Sequence, residues 1–103
     1  MIATMPPAVQ RAVLNVSEAT GIPVRVMLSR RRTAPVAEAR MTAYWLVKRH
    51  TRTQTGREWT LSELSRVFRR DRGAINHGIH VIEDRITIDK TLQTITDKLK
   101  LSL

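Results

Sequence analysis

Apolar residues recur three and four positions apart along nearly the whole chain, and strand-like alternation is scarce, which predicts an all-α protein. Val9, Val13 and Val16 mark a first helix, opened by Pro6-Pro7 and stopped near Gly21. Proline suits a first helical turn, and glycine suits the left-handed position that ends a helix. Pro23 predicts a short turn of helix carrying Val24, Met27 and Leu28. A longer helix is expected from about Pro35 to His50, with Ala37, Met41, Tyr44, Trp45 and Lys48 at helical offsets. Residues 51–59 are polar, contain Gly56 and read as a loop. A last helix is expected from about Ile88 to Leu101 on the stripe Ile88, Leu92, Ile95 and Leu99. Its threonines lower helix propensity, so packing must hold it. The sum is one domain over residues 1–103, a compact bundle of about six helices.

The stretch from Thr60 to Asp84 is the most specific. Leu61, Leu64, Val67 and Phe68 share one side of a first short helix, and Thr60 with Glu63 forms a capping box at its start. Ile75, Ile79, Ile82 and Ile86 then form a second apolar stripe. Opposite that stripe lie Gly73, Asn76, His77 and His80, and Arg66, Arg69, Arg70 and Arg72 surround the junction. A helix with a buried back, a polar front and a cationic N-terminus suits the major groove of DNA, so the pair reads as a helix-turn-helix.

Charge sharpens that picture. The formal net charge is +9, and thirteen of the 18 Lys and Arg but only four of the nine Asp and Glu fall between Arg25 and Arg72. The remainder of the chain sums to zero, so the excess is concentrated as a polyanion-binding face requires. Cysteine is absent, which removes disulfides and thiolate metal sites and fits a reducing cytoplasm. The N-terminal residues do not read as a secretory signal, and no stretch approaches the ~20 apolar residues of a membrane span. The expected location is the cytoplasm, in association with the nucleoid.

Further along, Ser29-Arg30-Arg31-Arg32-Thr33 is a basic loop followed by Val36-Ala37, and Leu61-Ser-Glu-Leu-Ser-Arg-Val-Phe68 leads into Arg69-Arg70-Asp71-Arg72-Gly73-Ala74-Ile75-Asn76-His77-Gly78. In this order and spacing the chain, over roughly residues 8–103, resembles the C-terminal DNA-binding domain of the bacterial replication initiator DnaA. That family carries S-K-R-R-S, then R-P-R-Q, then L-P-E-I-G-R-A-F and G-R-D-H-T-T-V-x-H-A. The resemblance implies a helix-turn-helix bundle of the DnaA C-terminal, Trp-repressor-like type. It also implies double-stranded DNA as partner, with the recognition helix in the major groove.

Transferred residue by residue, the resemblance makes Arg40 the arginine that enters the minor groove, and Asp71 a base-reading position that also suits an N-cap. Arg72 replaces the signature histidine and could reach guanine or a phosphate. His77 matches a later histidine, better suited to packing or phosphate contact. Arg30, Arg31, Arg32, Arg69 and Arg70 are expected on phosphates, beside Arg66, and Asn76 on the helix front. The family's two base-reading threonines are Gly73 and Ala74 here, which leaves only apolar contact such as Ala74 against a thymine methyl. Altered or relaxed sequence preference is therefore expected. The segment Phe68-x-Arg70-Asp71-Arg72 also resembles small regulators from alphaproteobacteria and phage-derived elements.

Other chemistries have little support. His77 and His80 lie three apart, but zinc needs three or four ligands and only His50 is left. Glu83 and Asp84 are neighbours that point to different sides of a helix and are expected to be solvated or paired with Arg85 or Lys90. Trp45 is at core spacing, and Trp59 is expected to brace the loop before the helix-turn-helix. No G-x-x-x-x-G-K-[ST] loop exists, so no nucleotide is expected, and with no serine in a nucleophile elbow and no implied His/Asp/Ser set, neither a cofactor nor enzyme activity is expected. A stand-alone transcriptional regulator, activator or repressor, is the leading expectation, with RNA polymerase or another regulatory protein as a second class of partner. A replication-initiation accessory factor and an adaptor that has lost DNA reading are the alternatives.

Overall fold

The computed structural model describes residues 2–103 and contains six α-helices, with no strand among the described residues. A 3-10 turn at Ile2–Thr4 precedes α1 (Pro7–Thr20), α2 (Val24–Met27), α3 (Ala34–His50), α4 (Leu61–Phe68), α5 (Arg72–Ile86) and α6 (Lys90–Leu101). The radius of gyration is 12.4 Å, close to the ~13 Å of a folded chain this long.

Punctuation in the sequence sets most boundaries. Pro7 opens α1, and Gly21 closes it at φ +74° while its N–H returns to the Ser17 carbonyl. In α4 the capping box is complete: Thr60 Oγ1 accepts from the Glu63 N–H at 3.1 Å, and Glu63 Oε1 accepts from the Thr60 N–H at 2.8 Å. The Glu63 carboxylate also takes a bidentate bond from Arg57, at 3.0 and 2.8 Å. These donors, Arg57 foremost, hold its pKa down to about 2.

Helix α3 is the centre of the bundle, packing against α1, α2, α5 and α6. Residues 42–47 are buried on every side, so the amphipathic stripe expected for a surface helix dissolves into continuous burial. Ala37, Met41 and Lys48, which share the helical offsets of Tyr44 and Trp45, are only partly buried. The principal packing is of α3 on α5, where Gly78 allows close approach. A Cβ there would lie 2.8 Å from Met41 Cγ and 3.0 Å from Tyr44 Cδ2. Glu83 and Arg85, on opposite sides of α5, reach Arg49 at 2.9 Å and Glu38 at 2.7 Å near the two ends of α3. The pairings expected for this acidic segment are corrected accordingly: Glu83 pairs across helices with Arg49. Tyr44 meets Phe68 edge-on, ring centroids 4.8 Å apart, which fastens α4 to the same centre.

Two expectations change at α6. The helix begins at Lys90, and Ile88 stands outside it, 84% exposed. Residues 87–89 turn on bonds to the Asp84 and Arg85 carbonyls, and Asp89 caps α6 by accepting from the Leu92 N–H at 3.0 Å. Thr96 joins Leu92 and Leu99 in the core, its hydroxyl donating to the Leu92 carbonyl at 2.8 Å. A threonine satisfied in this way can be buried without an orphaned polar group. Trp45 and Trp59 are both buried, and Lys48 Nζ donates to the Trp59 carbonyl at 2.6 Å, anchoring the loop that leads into α4.

Candidate nucleic-acid interface

The helices α4 and α5 form the helix-turn-helix, and the turn between them has three residues. Arg69 ends α4 in the left-handed conformation, φ +56° and ψ +49°, the one non-glycine residue with positive φ among those described. The N–H groups of Arg69 and Arg70 both return to the Ser65 carbonyl, and Ser65 Oγ donates to the Arg70 carbonyl. These bonds satisfy the α4 end and redirect the chain into α5. Asp71 occupies the N-cap position of α5, but its side chain accepts no bond from the first turn. The capping expected of its carboxylate is thus corrected: the group is exposed and uncommitted.

Ile75, Gly78, Ile79 and Ile82 form the buried back of α5. Its front consists of Arg72, Gly73, Ala74, Asn76, His77 and His80, all exposed. Arg72 makes a long contact of 3.3 Å to Ser62 Oγ. Space around Gly73 is open, with no heavy atom within 4 Å of an added Cβ. His80 Nδ1 lies 2.8 Å from the Asn76 carbonyl. A carbonyl can only accept, so Nδ1 is the donor in this contact. His80 lies on the front that helical periodicity predicts for it.

Beside the turn lies the basic loop of residues 29–33. Arg30, Arg31 and Arg32 are exposed on it. Between loop and helix-turn-helix is an open cleft of about 480 Å³, lined by Arg30, Ser65, Arg66, Arg69, Arg70, Asp71 and Ala74. None of Arg30, Arg31, Arg32, Arg66, Arg69, Arg70 and Arg72 is in an ion pair among the described residues, whereas Arg49, Arg52, Arg57, Arg85 and Lys100 all are. The ion pairs therefore all lie away from this rim, and Asp71, which lines the cleft, pairs with none of its arginines. The positive end of the α5 dipole adds to the same field.

Arg40 departs from its expected orientation. Its guanidinium is turned inward and partly buried, donating to the carbonyls of Met27 (2.8 Å), Ser29 (2.7 Å) and Arg31 (2.8 Å). Burial pulls its pKa below the usual arginine value, opposed by Tyr44 and assisted by the nearby Arg70 charge. Arg70, expected on phosphate, donates to the Ser29 carbonyl at 2.6 Å and interacts with the Tyr44 hydroxyl. Burial raises the Tyr44 phenol above its ordinary value, keeping it protonated.

Compared with known protein families, the chain matches the family described as the bacterial dnaA protein helix-turn-helix over residues 9–82, well over half its length. The chain belongs to the bacterial DnaA helix-turn-helix family. The DnaA match runs from α1 through the basic loop and α3 to the body of α5, and so includes the whole candidate interface. It stops at Ile82, short of the resemblance to residue 103 expected from the sequence, and leaves α6 outside. No curated protein and no solved structure matches the chain. Membership makes this a DNA-binding helix-turn-helix of DnaA type. Among the described residues no helix is long and apolar enough to cross a membrane.

Proposed function

We propose that the protein regulates transcription by binding double-stranded DNA through two adjoining elements. The front of α5 enters the major groove, with Arg72, Asp71, Asn76, His77 and His80 as the groups that meet bases. The basic loop reaches the neighbouring minor groove and phosphates through Arg30, Arg31 and Arg32. Arg66 and Arg69 engage phosphates on the rim of the cleft. The observation that carries this reading is the cluster of arginines around the helix-turn-helix and basic loop, none of them in an ion pair among the described residues. A protein adaptor would have no use for that field, because unneutralised like charges oppose the compact state.

Base discrimination is reduced in this reading. Gly73 and Ala74 supply no hydroxyl where the family reads with threonine, and good base contacts are worth ~1–3 kcal/mol each. The test is selection from a randomised duplex pool at about 150 mM salt, followed by sequencing. Enrichment of a motif distinct from the standard initiator box, lying near promoters, supports a transcriptional regulator. Sites confined to a replication origin would instead identify a replication accessory factor, and no retention of duplex would refute DNA binding.

A further inference from the structure

The last carbonyls of a helix have no partner within the helix and must find donors elsewhere. Helix α2 has a single turn, and its end runs directly into the basic loop. The Leu28 and Ser29 N–H groups return to the Val24 and Val26 carbonyls. The carbonyls of Met27, Ser29 and Arg31 are instead turned toward α3, where one guanidinium takes all three. Arg40 Nε serves Met27, and Nη2 serves Ser29 and Arg31. Arg70 approaches from the helix-turn-helix side and donates to the same Ser29 oxygen, with a longer 3.5 Å contact to Leu28. Neither guanidinium has an acidic partner among the described residues.

We propose that Arg40 is a positioning residue for the DNA interface, which fixes the shape of the basic loop from within while Arg70 locks that loop to the helix-turn-helix turn. This rests on the proposed duplex binding and assigns its geometry. Three consequences follow from the bonds. The Ser29 and Arg31 carbonyls face the protein, so their negative ends are turned away from an approaching phosphate while Arg30, Arg31 and Arg32 stay exposed to it. The loop and the turn share one carbonyl, so minor-groove and major-groove elements move as a unit and need little ordering on binding. Insertion of Arg40 into a groove would leave the Met27 and Arg31 carbonyls without a donor and Ser29 with Arg70 alone, which opposes that movement. A planar fork suits this task, since lysine presents a point charge that cannot span three separated carbonyls.

The test uses the full chain. Arginine side-chain NMR is recorded on the free protein and on its complex with a duplex of about 20 base pairs. The Arg40 Nε–H is expected to be protected from solvent exchange in the free protein and to keep its position when duplex is added, whereas the Arg31 signal moves. Rapid exchange of the Arg40 Nε–H in the free protein, or its movement onto DNA, would overturn the proposal. A variant cycle reads the same role through affinity. Arg40→Gln and Arg40→Lys should both weaken binding to about the level of the combined Arg30→Gln, Arg31→Gln and Arg32→Gln variant. Adding Arg40→Gln to that triple variant should change affinity by no more than about twofold, because the contacts it organises are already gone. Substantial rescue by lysine, or an effect that multiplies through the cycle, would identify an independent DNA contact instead. If the parent protein binds no duplex, the proposed function fails, while Arg40 protection in the free protein still decides the positioning role.

Discussion

Arg69 stands in the left-handed region at φ +56°, where a β-carbon crowds the following carbonyl oxygen at a cost of about 1–2 kcal/mol. Glycine removes that crowding but gives the unfolded chain more freedom, which returns about 0.4–1 kcal/mol. Arg69→Gly should therefore stabilise the fold by about 0.5–1 kcal/mol, or roughly 2–5 °C in Tm for a domain of this size. The same change deletes one bare cation from the cleft rim. Counterion release at one phosphate contributes a slope near −0.9 in log K against log[salt], about fivefold in affinity at 0.15 M salt. Thermal unfolding by circular dichroism and fluorescence anisotropy with a labelled duplex measure the two effects on one sample. A more stable protein that binds about fivefold more weakly is expected. Lowered stability would refute the strain reasoning, and unchanged affinity with an unchanged salt slope would remove Arg69 from the interface.

Three further variants probe other parts of the structure. Gly78→Ala should lower stability by about 1–3 kcal/mol in urea unfolding, because the new methyl meets Met41 and Tyr44 at the α3–α5 crossing; unchanged stability would mean that Met41 yields freely. The Glu63 carboxyl is depressed in the folded state to about 2, so its stabilising effect is complete above its unfolded value of about 4.5 and is lost as pH falls toward 2. Glu63→Gln should flatten that part of the pH–stability curve, and a curve identical to the parent's would contradict the role given to the capping box. Replacing Gly73 and Ala74 together by threonine should raise preference for the standard initiator box by about 1–3 kcal/mol per restored contact, read by competition against a scrambled duplex. No gain in preference would mean that α5 docks differently.

Local signals made much of the fold legible. Pro7, Gly21, Pro23 and the Thr60–Glu63 pair act within a few residues, and the elements they bound are where the spacing predicts. Counting apolar residues misled at Ile88, because the start of α6 is decided by the Asp89 cap and the preceding turn. It also passed over Thr42 and Thr96, whose hydroxyls bond the carbonyl four residues earlier and so disappear into the core. The contiguous residues of the turn and the α5 front could be listed from the sequence because helical periodicity separates front from back. The inward orientation of Arg40 and the bond from Arg70 to Ser29 could not. Both depend on carbonyls exposed by the end of α2, brought together with the turn only by tertiary packing. The same holds for the cross-helix pairs of Arg49 with Glu83 and of Arg85 with Glu38.

The salt dependence of duplex affinity tests the central claim most directly. Arg30, Arg31, Arg32, Arg66, Arg69 and Arg72 lie on the rim without acidic partners, and Arg40 and Arg70 are engaged with the protein itself. With about six phosphates neutralised, log K for a duplex should fall against log[salt] with a slope near −5. A slope close to zero, or no duplex binding at about 0.1 M salt, would contradict a DNA interface built on this rim.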